Sequence, residues 1–242
     1  MSPTIPKWWP SAGAALWALS LLGVLASLWA VLYVAPVEAQ MGVVQKIVYV
    51  HVPSAIATYL AFAITCGAGI AYLATRQWYW DAVAVSACEV GLIFATVVLV
   101  TGPLWARSAW NTWWTWEPRL TVFLIMWILY GGYHVLRHSV ASSAKRTLSA
   151  VLGIALFPIT FLVQVSVNLW QGSLHPKNVT MVGEMRMTLL LSMAVWVVFF
   201  VAAFQQRLRL EWLREGADRL DARTATGPAP ASAQELRTRE IS

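Results

Sequence analysis

The chain has 242 residues, of which 59% are hydrophobic and only 12% are charged. Soluble domains average roughly 45–50% apolar and about 25% charged residues, so the composition excludes an ordinary soluble domain and predicts an integral membrane protein. The net charge of +6 does not indicate a nucleic-acid partner, because the basic residues are distributed by side of the membrane.

Six apolar runs are long enough to cross a bilayer, which requires about 20 mainly apolar residues for a hydrocarbon core of roughly 30 Å. They cover approximately residues 12–35, 53–74, 82–104, 120–136, 148–170 and 187–204. The first run is too long for a secretory h-region, and no clear cleavage site follows it. The sequence therefore predicts an all-α membrane domain over residues 1–223, a bundle of six transmembrane helices with short loops.

Basic residues favour one orientation of this bundle. If the N-terminus is cytoplasmic, twelve of the seventeen lysines and arginines fall on the cytoplasmic side. Excess Lys and Arg mark that side, so we expect both the N- and C-termini to be cytoplasmic. Residues 224–242 are rich in Ala, Thr, Pro, Gly and Ser, a composition that cannot bury a core, and we expect them to form a disordered cytoplasmic tail.

The first outer loop, at approximately residues 36–52, carries His51 just before Pro53. Proline is well tolerated in the first turn of a helix, so His51 is predicted to lie at the outer mouth of the second span. Farther along, Glu89 falls inside the third span, where a carboxylate is a functional hypothesis by default. A structural role is favoured for Glu89, because nothing pairs it with a transport pathway.

The second outer loop, at approximately residues 105–119, contains five of the fifteen tryptophans within twelve residues. Tryptophans are enriched at bilayer interfaces, but an anchoring belt needs only one or two at each helix end, so the cluster favours a binding function. Flat indole faces beside the charged residues Arg107, Glu117 and Arg119 suit a flat, largely apolar ligand with anionic edges. A tetrapyrrole is such a ligand.

Two features of the later spans favour structure over chemistry. His134 and His138 share one helical face at a spacing that can hold a metal, but no acidic or thiol residue is expected near them, so solvated interface residues are the favoured interpretation. Pro158 in the fifth span predicts a kink in that helix.

The third outer loop, at approximately residues 171–186, carries His175 just outside the fifth span. One histidine on each side of an aromatic platform is what six-coordinate haem iron requires, since neutral imidazole is a common axial ligand. The spacing of two isolated histidines is not specific, and residues at the membrane interface remain the alternative. Four cations predicted on this side could pair with haem propionates: Arg107, Arg119, Lys177 and Arg186.

The run Trp110-Asn-Thr-Trp-Trp-Thr-Trp-Glu-Pro-Arg-Leu-Thr resembles the tryptophan-rich WWD signature of the haem-handling proteins of cytochrome c maturation, and more closely the haem exporter protein C (CcmC) family. Further matches are the runs Lys46-Ile-Val-Tyr-Val-His-Val-Pro-Ser-Ala, Thr101-Gly-Pro-Leu-Trp and Val165-Ser-Val-Asn-Leu-Trp, the last followed by His175. The resemblance extends to about Arg209. Two positions depart from the usual pattern, because Asn111 stands where glycine is common and Glu117 stands where aspartate is customary.

The resemblance implies that the protein holds haem b at the periplasmic face of the inner membrane, with His51 and His175 as axial ligands of the iron. The implied platform consists of Trp110, Trp113, Trp114, Trp116, Glu117 and Arg119, with Arg107 beside it. The implied task is delivery of haem to a periplasmic haem chaperone, CcmE, with a small single-span protein, CcmD, and the ATP-binding-cassette pair CcmA and CcmB as further partners. The protein is then a binding and transfer protein and not an enzyme.

Two other functions stay open. A cytochrome c haem lyase would share the tryptophan motif, but we would expect additional histidines within its spans, and no histidine here falls in the middle of a span. A haem-transporting permease would need a polar path through the helices, for which Glu89, Gln164 and Asn168 offer little.

Overall fold

The computed structural model describes residues 9–140, 142–169 and 181–225. The helices are α1 (Trp9–Trp29), α2 (Val48–Thr75), α3 (Trp78–Trp110), α4 (Pro118–Ser139), α5 (Ser142–Leu156), α6 (Pro158–Leu169) and α7 (Gly183–Ala225). A π-helical turn at Ala30–Val34 extends α1, and a 3-10 turn at Val43–Ile47 leads into α2. Within the described residues, six helical segments are long and apolar enough to cross a bilayer. The predicted all-α, six-span membrane fold is therefore confirmed.

The helices extend beyond the apolar runs that predicted them. Helix α2 begins at Val48, so His51 lies in its first turn. The sequence pattern had placed His51 in the preceding loop. Helix α3 continues to Trp110, so the first part of the predicted tryptophan loop is helical. Apolar runs mark only the part of a helix that lies in hydrocarbon, whereas aromatic residues at the interface continue the same helix. At the other end of the chain, α7 reaches Ala225, and the remainder of the predicted disordered tail lies outside the described residues.

The fifth predicted span consists of two helices, α5 and α6, which meet at Phe157. Pro158 lacks an N–H, and its ring would clash with the carbonyl of residue 154 if one helix continued through it. The turn is closed by hydrogen bonds from the Phe157 N–H to the Ile154 carbonyl, 3.2 Å, and from the Thr160 N–H to the Phe157 carbonyl, 3.0 Å. The proline thus divides the span, a larger effect than the predicted kink.

The centre of the bundle is the tightly packed pair α2 and α3, because small residues let the two backbones approach. A Cβ atom at Gly91 would lie 2.7 Å from the Cβ of Ala61, so only glycine fits there. In lipid, where the hydrophobic effect does not drive helices together, this close packing is a principal source of association. Beside it, the rings of Phe62 and Tyr130 stack with centroids 3.6 Å apart and join α4 to the core. Helix α1 packs mainly on α7.

The bundle has two different ends. The site end holds residues 36–47, 111–117 and 181–186, and the opposite, tail end holds the connections from α2 to α3 and from α4 to α5. At the tail end, buried Arg137 donates two hydrogen bonds of 2.7 Å to buried Asp81. Arg146 lies 3.7 Å from the same carboxylate and 2.6 Å from Glu215. These contacts join α3, α4, α5 and α7.

A second ion pair at the tail end involves Glu89, whose Oε2 lies 2.6 Å from the guanidinium of Arg207. This ion pair joins α3 to α7 and supports the structural role that was favoured for Glu89. His134 and His138 line the same groove as Glu89 and Arg207, a groove of about 530 Å³. The expectation that no acidic residue lies near the two histidines was therefore wrong, because α3 brings Glu89 to them from a distant part of the sequence.

Candidate functional site

A cavity of about 360 Å³ lies at the site end, between α2, α3, α4 and α6. Helix α2 contributes His51, Ala55 and Tyr59 to its wall. These residues recur every four positions and therefore share one helical face. Most of the other lining side chains are aliphatic or aromatic, so the cavity is an apolar chamber with a few polar groups in its wall.

His51 is the imidazole in this wall, and α3 fixes its position. Its Nδ1 lies 2.9 Å from the hydroxyl oxygen of Thr101. The ring centroid is 6.5 Å from that of Trp105, which is in turn 6.1 Å from that of Trp110. Thr101 and Trp105 are four residues apart and so lie on the same face of α3. The first turn of α2 therefore carries His51, and the side chains of Thr101 and Trp105 in α3 hold its ring in place.

The residue that ends α3 explains one departure from the family pattern. Asn111 has a left-handed backbone conformation, with φ 55° and ψ 24°. Glycine and asparagine are the residues that most often end a helix in this conformation, so asparagine preserves the turn that glycine would make. Arg107 donates hydrogen bonds to the Asn111 carbonyl, at 2.8 Å, and to its side-chain oxygen. Arg107 thereby closes the end of α3 and does not line the cavity.

Residues 111–117 have no regular secondary structure. As a result, the four tryptophans of the predicted platform lie in different environments. Trp110 and Trp114 line the cavity. Trp113 and Trp116 are 59% and 76% exposed and lie on the surface. The Nε1 of Trp114 is buried with no hydrogen-bond partner among the described residues, and it is therefore a donor to which a bound ligand could offer an acceptor.

The two charged residues that flank α4 occupy different environments. Arg119 lies in the first turn and lines the cavity, with one guanidinium nitrogen 3.4 Å from the Gln164 carbonyl. Glu117 is buried at the position that precedes α4, but its side chain makes no capping hydrogen bond to the helix. Aspartate caps helices well, so the longer side chain in this sequence loses that local role. Glu117 is absent from the cavity wall.

The structure places the remaining predicted residues away from this cavity or does not describe them. Arg186 lies in the first turn of α7 and is exposed. His175 and Lys177 lie outside the described residues. Of the predicted site, the structure therefore brings together His51, Trp110, Trp114 and Arg119 in one cavity wall.

Among the wall residues that were not predicted as part of the site are Tyr59, Trp105 and Gln164. Each had a signal in the sequence. Tyr59 follows His51 by two intervals of four residues, Trp105 begins the tryptophan cluster, and Gln164 is a polar residue inside an apolar run. The spacing alone could not choose them, because which helical face meets the cavity depends on the rotation of α2, α3 and α6 about their axes.

These features define a multi-pass membrane protein with an aromatic, largely apolar cavity at one end, in whose wall an imidazole and a guanidinium are placed. The family model described as Heme exporter protein C matches residues 4–223. The chain is 30% identical to Heme exporter protein C of Paracoccus denitrificans over 223 residues, 89% of this chain and 90% of the relative. It is 29% identical to the protein of the same name from Rhodobacter capsulatus, over 73% of this chain and 76% of the relative. It is 33% identical to that of Escherichia coli K12, over 61% and 60%. The chain belongs to the Heme exporter protein C family.

Proposed function

We propose that the protein binds haem in the site-end cavity and delivers it to a periplasmic haem chaperone, similar to CcmE, during the maturation of c-type cytochromes. The chain belongs to a family that handles haem for this process. The observation that carries the proposal is the position of His51, whose imidazole lies in the wall of an otherwise apolar and aromatic cavity.

The chemistry of the cavity suits haem as cargo. Aromatic and aliphatic walls match the face of the macrocycle, an imidazole can bind iron, and the guanidinium of Arg119 can pair with a propionate. The volume of about 360 Å³ is at the lower end of the roughly 300–1,000 Å³ that encloses drug-sized ligands. A tetrapyrrole is larger than most such ligands, so part of the macrocycle would lie beyond this chamber, where an acceptor can reach it.

We assign His51 and His175 as axial ligands from opposite faces of the macrocycle. Trp110 and Trp114 contact its face in this assignment, and Arg119 holds a propionate. Trp113 and Trp116 are exposed, and we propose that they contact the chaperone and not haem. Exposed aromatic side chains are characteristic anchors of protein interfaces. In this proposal, one side of the tryptophan segment contacts haem and the other side contacts the chaperone that accepts it.

The proposal includes a location and partners. The excess of basic residues at the tail end favours a cytoplasmic tail end, so the cavity is proposed to face the periplasm from the inner membrane. A small single-span CcmD-like protein and the transporter subunits CcmA and CcmB are the proposed companions of the chain. The cargo is proposed to be haem b, which has no covalent bond to its carrier.

Replacement of the proposed ligands tests this function. His51→Ala and His175→Ala should each weaken or abolish the six-coordinate absorption spectrum of haem bound to the purified full-length protein, because each removes one bond to iron. His134→Ala is the matched control, since it removes an imidazole from the tail-end groove, and its spectrum should equal that of the unmodified protein. If the His51→Ala, His175→Ala double variant keeps the six-coordinate spectrum, the assignment is wrong.

A further inference from the structure

Thr101 makes two contacts that together determine the hydrogen position on His51. Its hydroxyl oxygen lies 2.7 Å from the Val97 carbonyl oxygen of the preceding helical turn and 2.9 Å from the Nδ1 of His51. A second carbonyl, that of Val98, is farther away at 3.4 Å. The hydroxyl is therefore shared between a group that can only accept a hydrogen bond and a ring nitrogen that can either donate or accept one.

A threonine hydroxyl has a single proton. Two oxygens 2.7 Å apart are at hydrogen-bond distance, and without a proton between them their lone pairs would repel each other. The Thr101 proton must therefore point to Val97, which leaves only lone pairs for His51. Nδ1 must then carry a hydrogen and donate it to Thr101. In a neutral imidazole the other nitrogen, Nε2, is then unprotonated and carries a lone pair.

We propose that Thr101 is a positioning residue that fixes the Nδ1–H tautomer of His51, so that Nε2 is the nitrogen whose lone pair would bind haem iron. The proposal rests on the function proposed above, in which His51 is an axial ligand. A hydrogen bond to the distal nitrogen of a metal-bound histidine fixes its tautomer and ring orientation and increases its basicity, and loss of such a partner typically weakens metal binding about 10–100-fold.

The tautomer can be measured without haem. We would label the histidines of the full-length, haem-free protein with ¹⁵N and determine by NMR which ring nitrogen of His51 carries hydrogen, with the signal assigned by its absence in His51→Ala. Wild-type protein and Thr101→Ser, which keeps the hydroxyl, should both show Nδ1–H. Thr101→Val, which keeps the shape but removes the hydroxyl, should lose this preference. An Nε2–H signal in the wild type, or an unchanged tautomer in Thr101→Val, would overturn the proposal.

Haem titration then tests the consequence for binding. Thr101→Val should bind haem about 10–100-fold more weakly and shift the midpoint potential of the bound haem to more positive values, because a less basic imidazole stabilises ferric iron less. Thr101→Ser should restore both. Thr96→Val is the matched control, since Thr96 also donates to the carbonyl four residues earlier in α3 but accepts from Trp127 and not from a histidine. It should change neither property.

The two proposals can fail separately. If His51→Ala abolishes the spectrum but Thr101→Val binds haem with unchanged affinity and potential, the positioning role is wrong and the proposed function stands. If His51→Ala binds haem normally, His51 is not a ligand, and the role of Thr101 in haem binding fails with it even where the NMR result is as expected.

Discussion

The two ends of the bundle are held together by different kinds of interaction. At the tail end, charged side chains from four helices are interlocked, with Asp81 and Arg137 almost completely buried. At the site end, a chamber between α2, α3, α4 and α6 is lined mainly by apolar and aromatic groups. A chamber forfeits the dispersion contacts that a packed core would make, whereas paired charges fix the positions of the helices they join. The tail end is therefore fixed by charge pairs between helices, and the site end keeps space for a ligand.

The largest expected effect comes from breaking the buried ion pair of the tail end. Asp81→Asn leaves the guanidinium of Arg137 without a carboxylate, and loss of one partner of a buried pair typically costs about 3–5 kcal/mol. The free energy of unfolding in detergent should fall by that amount. The haem affinity of the molecules that remain folded should not change, because the pair lies at the end opposite the cavity.

The double variant Asp81→Leu, Arg137→Met is the control for this prediction. Replacing both members of a buried pair with apolar groups is often neutral or stabilising, so the double variant should recover most of the lost stability. Equal losses in the single and double variants would show that an unpaired charge is not the cause. A parallel loss of haem affinity in the folded molecules would contradict the separation of the two ends.

An intermediate effect should distinguish the two kinds of tryptophan at the site end. Trp114→Ala should weaken haem binding about 2–10-fold, because an aromatic contact contributes about 0.5–1.5 kcal/mol beyond its buried area and about 1.4 kcal/mol corresponds to tenfold. Trp116→Ala, at a side chain 76% exposed, should leave haem affinity unchanged and slow transfer to the chaperone. Absorption titration and a transfer assay measure the two effects, and equal haem affinities in the two variants would contradict the assignment.

The smallest expected effect lies at the surface of the tail end. Arg214 is 63% exposed and pairs with Glu211 at 2.9 Å. Exposed ion pairs contribute about 0.2–1 kcal/mol, so Arg214→Ala should lower the free energy of unfolding by no more than that, and added salt should reduce the difference further. A loss as large as that of Asp81→Asn would mean that the tail-end charges act as one network down to the surface.

The sequence predicted the six spans because hydropathy directly reflects the hydrocarbon thickness that each helix must cross. It predicted the association of His51 with the tryptophan segment because both border the same side of the membrane. It did not predict the pair of Asp81 and Arg137, which are far apart along the chain and become neighbours only when α3 and α4 pack. Interhelical charge pairs are set by tertiary structure, and no local pattern indicates them.

The sequence also could not predict which tryptophans line the cavity and which are exposed. Four indoles within seven positions look equivalent in sequence, yet Trp110 ends a helix while Trp113, Trp114 and Trp116 follow in an irregular segment. Neither a helical nor a strand period applies to that segment, so the direction of each side chain depends on individual backbone angles. The left-handed residue Asn111, at φ 55°, sets the first of those directions.

The wall of the cavity is built from two kinds of backbone, since His51 belongs to a long helix and Trp114 belongs to the irregular segment 111–117. Loops move within nanoseconds to microseconds, whereas collective shifts of helices take microseconds to milliseconds. The two sides of a bound macrocycle would therefore be released on different timescales. If haem binds as proposed, we expect the indole contact to open and close many times while the bond between His51 and the iron persists, so that the ring face would be released before the metal.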